Sequence, residues 1–191
     1  MHREATDTLR ADDALGELVA AHGPLELDPA EDIFQRLVVA IVRQQVSMDA
    51  AAAIRDRLFD AVEVTPAGIR TADDATLEAA GLSAAKTEYV RNVARAFDER
   101  GYDREYFTGL PDAAVLAELT DVRGVGPWTG KMFLMFCLGR PDVFPVEDLG
   151  IRKGMRAVFE ADLDRAEMCR RAQRWAPYRS YASLYLWRAC E

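Results

Sequence analysis

The segment Leu119-Thr120-Asp121-Val122-Arg123-Gly124-Val125-Gly126-Pro127-Trp128-Thr129, with Asp148 further on, holds the residue types for one kind of chemistry. It reads as a tight hairpin between two helices. Gly124 and Gly126 flank one aliphatic residue, so the backbone can turn sharply and approach another molecule closely. Pro127 opens the outgoing helix at a first-turn position, where its missing N–H costs little. Unpaired N–H groups at such a helix start suit a phosphate. In Phe144-Pro145-Val146-Glu147-Asp148 a proline breaks the preceding structure and an acid opens the next helix. A phosphate clamp together with a positioned carboxylate points to an enzyme that works on nucleic acid. Taken singly, Asp148 also fits a plain helix N-cap and the glycine pair a plain turn.

The elements that must position these residues are helical throughout. Asp28-Pro29-Ala30-Glu31 predicts a helix start with a capping aspartate and an N1 proline. Phe34, Leu37, Val38, Ile41 and Val42 then form a stripe at helical spacing. Ser47 caps a following helix carrying Ile54 and Leu58. Thr71 with Asp74 opens a short helix that Gly81 ends, and Ser83 opens another that Gly101 ends. Pro111-Asp112 starts the helix entering the hairpin, and Gly139 ends the one leaving it. Further helices fit 149–159, 163–175 and 178–190. Ala61-Val62-Glu63-Val64 is too short to count as a strand.

Composition bounds the function. The 191 residues are enough for one domain or two small ones. Met132 to Leu138, the longest apolar run, is far too short to span a bilayer. The polar, acidic N-terminus carries no signal-peptide pattern. Cys137, Cys169 and Cys190 are widely spaced, and the only histidines are His2 and His22. This set fits neither a disulfide framework nor a zinc pattern, and it reads as thiols of a reducing cytoplasm. The net charge of −8 runs against the usual basic nucleic-acid binder. Two features answer it. Arg152, Lys153 and Arg156 cluster just after Asp148, and a hairpin binds phosphate through backbone N–H groups that need no basic side chain.

The segment from Leu119 to Thr129 resembles the helix-hairpin-helix of base-excision DNA glycosylases. Asp142-Val143-Phe144-Pro145-Val146-Glu147-Asp148-Leu149 resembles their Gly/Pro-rich loop ending in a catalytic aspartate. Ile41-Val42-Arg43-Gln44-Gln45-Val46-Ser47, and Trp175-Ala176-Pro177-Tyr178-Arg179-Ser180-Tyr181-Ala182 running on to Trp187, are similar to the DNA-3-methyladenine glycosylase II branch. The likeness covers roughly residue 30 to the C-terminus. It implies an all-α, two-lobed fold with the active site in the cleft between lobes. Residues 30–140 would form the central lobe, and 1–29 plus 141–191 the second. The stretch before residue 29 is too short for the extra β-domain of some relatives.

The resemblance also implies roles. Asp148 is the catalytic residue, with Glu147 as second choice. Trp128 stands where bifunctional relatives carry a nucleophilic lysine, which implies a monofunctional enzyme without strand cleavage. Lys131, one helical turn on, is a poor substitute. Trp128, Met132 and Trp187 line the base pocket, Met132 standing where relatives often have tyrosine. Gln45 is the wedge that fills the gap left by a flipped base, and Gln44 is a candidate support for the hairpin. Gly124, Gly126, Trp128, Thr129, Arg152 and Lys153 bind DNA. The carbonyls of Thr120, Val122 and Val125 hold a sodium or potassium ion. No other cofactor is implied; an iron–sulfur cluster would need four clustered cysteines. The expected partner is double-stranded DNA with a damaged base, met by a monomeric, cytoplasmic or nucleoid-associated protein. Alkylated purines such as 3-methyladenine and 7-methylguanine lead. Hypoxanthine, uracil or 8-oxoguanine on the same fold, or a non-catalytic DNA-binding module, are the alternatives.

Overall fold

A computed structural model describes residues 2–189 of the chain. In chain order the helices are α1 His2–Arg10, α2 Gly16–His22, α3 Ile33–Val42, α4 Met48–Ala61, α5 Pro66–Thr71, α6 Asp74–Ala79, α7 Ala84–Arg100, α8 Arg104–Thr108, α9 Asp112–Thr120, α10 Pro127–Phe136, α11 Leu149–Phe159, α12 Arg165–Ala172 and α13 Arg179–Arg188. A 3₁₀ turn, Gln173–Trp175, follows α12, and no strand occurs among the described residues. None of these helices is long and apolar enough to cross a membrane. Cys190 lies outside the described residues, so the third thiol has no structural account.

Side-chain caps place most helix starts. Ser47, Thr65, Asp73, Ser83, Asp103 and Asp164 each accept a hydrogen bond from the backbone three residues on. The first long helix starts later than expected. Asp32, not Asp28, is its cap, with Oδ1 accepting the Gln35 N–H at 2.9 Å, while the Ala30 N–H is taken by the Phe136 carbonyl. Similarly Asp73 replaces Thr71 as the cap of α6, because Thr71 is the last residue of the unforeseen α5. The helix leaving the hairpin ends at Phe136, ahead of Gly139.

The chain divides into two compact units, one of Ala30–Leu138 and one of Met1–Pro29 with Gly139–Glu191. In the first, α3 packs on α7 and α10, and α9 on α10. A relay of rings, Phe34–Phe97–Tyr102–Phe107–Phe133, edge-to-face except for the tilted Tyr102–Phe107 pair, runs through its core with centroids 4.7–5.6 Å apart. In the second, α13 packs on α11, α2 and α1. The buried Tyr185 hydroxyl there donates to the Gly23 carbonyl at 2.8 Å and ties the N-terminal helices to α13.

Candidate active site

The hairpin joins α9 to α10. Leu119, Val122 and Val125 are buried, so the turn is pinned by its own apolar side chains. The Val125 N–H closes it onto the Val122 carbonyl at 2.9 Å. Gly124 has φ +104°, and a Cβ there would lie 2.3 Å from Tyr89 Cγ, so both backbone and space demand glycine. Gly126 differs from the expectation of a second strained turn position. Its φ of −93° and ψ of 177° are ordinary extended backbone, and a Cβ there meets nothing within 4 Å. Gly126 is the N-cap of α10 and, unlike the eight helices capped by an Asp, Ser or Thr oxygen, α10 has no side-chain cap.

Gln44, two residues past the end of α3, holds this turn. Its Nε2 donates to the Gly124 carbonyl at 3.0 Å and to Thr129 Oγ1 at 2.9 Å. Thr129 is buried, and its side chain serves the hairpin. Beside Gln44, the exposed Gln45 sits at φ +57°, a left-handed conformation uncommon outside glycine. Val46 and Met48 leave apolar surface exposed next to it.

Trp128 and Met132, one turn apart on α10, line a small open pocket in the same unit, with Leu37, Ala40 and Phe133 behind them. Lys131 lies on the same helix, outside the pocket's lining.

In the other unit Asp148 caps α11. Its Oδ1 accepts the Ile151 N–H at 3.0 Å and the Trp187 indole N–H at 2.9 Å. Capping and orientation by Trp187 thus converge on one carboxylate oxygen. Two glycines of α11 permit this. A Cβ at Gly154 would stand 2.2 Å from the Leu186 carbonyl oxygen, so α13 lies against bare backbone. A Cβ at Gly150 would stand 2.7 Å from Trp187 Cδ1 and 3.1 Å from Asp148 Oδ1, which would push the indole away.

The loop leading to Asp148 is stapled to the start of α13. The buried Ser180 hydroxyl donates to the Arg140 carbonyl at 2.7 Å and accepts the Val143 N–H at 2.9 Å. The Asp142 carboxylate takes both Nε and Nη2 of Arg179, at 2.6 and 2.8 Å. Burial works against ionising Asp142, but the Arg179 hydrogen bonds and charge outweigh it and hold the carboxyl below its ordinary range.

Residues 38–178 match the model of the HhH-GPD superfamily base excision DNA repair proteins. The chain belongs to that superfamily. Among HhH-GPD relatives, the DNA-3-methyladenine glycosylase 1 of Schizosaccharomyces pombe is 31% identical over 188 residues, 91% of this chain and 79% of the relative. The solved structure of that yeast's 3-methyladenine DNA glycosylase in complex with abasic DNA superposes with a TM-score of 0.89 at 29% identity, over 97% of this chain and 95% of that one. Escherichia coli DNA-3-methyladenine glycosylase 2 is 31% identical over 186 residues, 91% of this chain. The chain spans 64% of that relative's length, and 62% of a Bacillus subtilis relative 31% identical over 179 residues.

Within the HhH-GPD frame, the structure brings together Asp148 with Trp187, Trp128 with Met132, and Gly124 with Thr129 through Gln44. Arg152 is half-buried with its Nε lacking a hydrogen-bond acceptor among the described residues, and Lys153 is exposed on the same helix. Tyr89, Gly150 and Gly154 have no role assigned from the sequence, and Asp142 and Ser180 enter there only as members of longer segments. Only the glycines of α11, four apart, carried a signal: two positions where a neighbouring helix can approach closely.

Proposed function

We propose that this chain is a monofunctional DNA glycosylase that hydrolyses the N-glycosidic bond of alkylated purines, of the 3-methyladenine and 7-methylguanine type, in double-stranded DNA. The observation that carries the reading is the carboxylate of Asp148, oriented by both a helix start and the Trp187 indole, in a chain of a base excision repair superfamily. As the base departs, positive charge builds on the deoxyribose. The Asp148 carboxylate stabilises that charge and orients the attacking water. An alkylated purine leaves as a good leaving group, so no strong general acid is needed. Trp128 and Met132 form the wall that receives the base, and an aromatic face attracts a cationic one by about 0.5–2 kcal/mol. Gln45 is the wedge. The uncapped start of α10 binds a backbone phosphate through N–H groups, which lets an acidic protein hold DNA.

The carbonyls of Thr120, Val122 and Val125 suit a sodium or potassium ion. They are neutral oxygens near the C-terminal, negative end of α9, and the Val122 oxygen keeps a second lone pair beyond its bond to the Val125 N–H. The ion would brace the turn and take no part in the bond cleavage.

The test is release of free base from methylated duplex DNA. Asp148→Asn should keep fold and lesion binding, since asparagine also caps helices, and lose at least ~100-fold in base release. Activity within a few-fold of wild type would refute the assignment. The wild type should produce alkali-labile abasic sites but no strand breaks, and borohydride should trap no covalent adduct, because Trp128 cannot form a Schiff base. A trapped adduct lost on Lys131→Ala would overturn the monofunctional reading.

A further inference from the structure

The pocket behind Trp128 holds two charges that nothing in it balances. Arg36 on α3 and Arg43, the residue that follows its last turn, both line it. Neither has an ion pair or a side-chain hydrogen bond among the described residues. The Arg36 guanidinium lies over the Phe136 ring, 4.8 Å from its centroid, and meets no carboxylate. Burial lowers the proton affinity of both, and the charge of Arg43 lowers Arg36 further. The one other titratable group in the lining is Cys137. Burial pushes its thiol up to about 12, so it is neutral and supplies no counter-charge. The rest of the lining, Leu37, Ala40, Trp128, Met132 and Phe133, is apolar.

Desolvated charges without partners are costly. Folds keep such groups where a ligand completes them. A base carbonyl would satisfy one donor pair and leave two positive charges uncompensated, whereas an anion answers both. In a complex with nucleic acid the anion at hand is a backbone phosphate, and guanidinium forks match phosphate oxygens.

We propose that Arg36 and Arg43 form a phosphate seat for the nucleotide whose base meets the Trp128–Met132 wall. The proposal rests on the reading that the chain binds damaged DNA. It gives the pocket two parts: an apolar wall for the base, and a cationic wall that a flanking phosphate neutralises. That neutralisation also removes the repulsion a cationic alkylated base would otherwise meet.

The test uses the full chain and an Arg36→Gln/Arg43→Gln variant. Lesion-bearing duplexes carry a single neutral methylphosphonate, moved one phosphate at a time across the lesion. Wild type should lose about tenfold in affinity at one phosphate flanking the lesion, and the variant should be indifferent there. The salt slope of the variant should be shallower by about 0.9, one phosphate's worth. The variant should stay close to wild type in heat stability, since it loses uncompensated charges against one cation–π contact and no hydrogen bond. A variant with the same slope and the same methylphosphonate profile overturns the seat, as does an unfolded one whose single Gln substitutions fold and bind like wild type. Sensitivity to inorganic phosphate alone, with no flanking position affected, also overturns it, by making the pocket a free-anion site. If wild type binds no lesion DNA at all, the glycosylase reading falls first and takes this one with it.

Discussion

Gly124 and Gly126 stand two residues apart in one turn, yet their substitution should fail in opposite ways. An alanine at Gly124 places a Cβ 2.3 Å from Tyr89 Cγ and 2.5 Å from Tyr89 Cβ, at φ +104°. The Tyr89 atoms lie next to its backbone, so the ring cannot swing clear. Backbone strain of about 1–3 kcal/mol and overpacking of about 1–3 kcal/mol should together destabilise Gly124→Ala by ~2–6 kcal/mol. At Gly126 the backbone is extended, the space is open and α10 lacks a side-chain cap. Gly126→Asp should therefore stabilise the fold, by a few tenths of a kcal/mol as a better cap and about 0.3–1 kcal/mol through the helix dipole. The same carboxylate would stand where the phosphate is expected. At roughly 5 Å and an effective dielectric of about 20–40, repulsion amounts to ~2–3 kcal/mol, or about 30–150-fold in affinity. Urea melts and fluorescence anisotropy with a lesion duplex at fixed salt measure both. A folded Gly126→Asp protein that binds DNA as tightly as wild type would show that the hairpin is not the anchor.

Trp187→Phe removes the indole donor from Asp148 and keeps the ring; base release should fall by about tenfold, the value of one lost hydrogen bond to a charge, with lesion affinity little changed. An unchanged rate would separate Trp187 from catalysis. Asp142→Asn should destabilise the protein at neutral pH by about 1–3 kcal/mol through loss of the Arg179 fork. Because the folded carboxyl sits below its ordinary value, its contribution is present above about pH 4 and fades as pH falls through the folded value. Wild type and variant should thus converge in urea midpoint below that range; a constant gap would contradict the assignment.

What could be read in the sequence was local. Ser83 and Gly101 bound α7 because a hydroxyl cap and a left-handed glycine act within a few residues of themselves. Asp148 and the glycine pair were legible for the same reason. The start of α3 was misread because Asp28 and Asp32 offer equal local signals, and only the Ala30–Phe136 bond decides between them. The supports of the site are long-range and left no local trace. Gln44 reaches Gly124 across 80 positions, and Ser180 reaches Val143 across 37. Gly126 shows the limit from the other side. Its residue type signalled a strained turn, while its backbone is one any residue can adopt.

The bare backbone of α11 at Gly150 and Gly154 bears on how this protein can change over evolutionary time. The register of Trp187 on Asp148 is set by contact between a main chain and a neighbouring helix, with no side chain between them to be tuned. Substitution there breaks the arrangement instead of adjusting it. Trp128, Met132 and Arg43 meet the pocket through their side chains alone, so they can be exchanged with less disturbance of the backbone. New lesion preferences should therefore arise on the α3–α10 face, while the bond-breaking apparatus stays the same. A library randomised at those three positions should yield altered base selectivity, and one randomised at Gly150 and Gly154 mostly inactive protein.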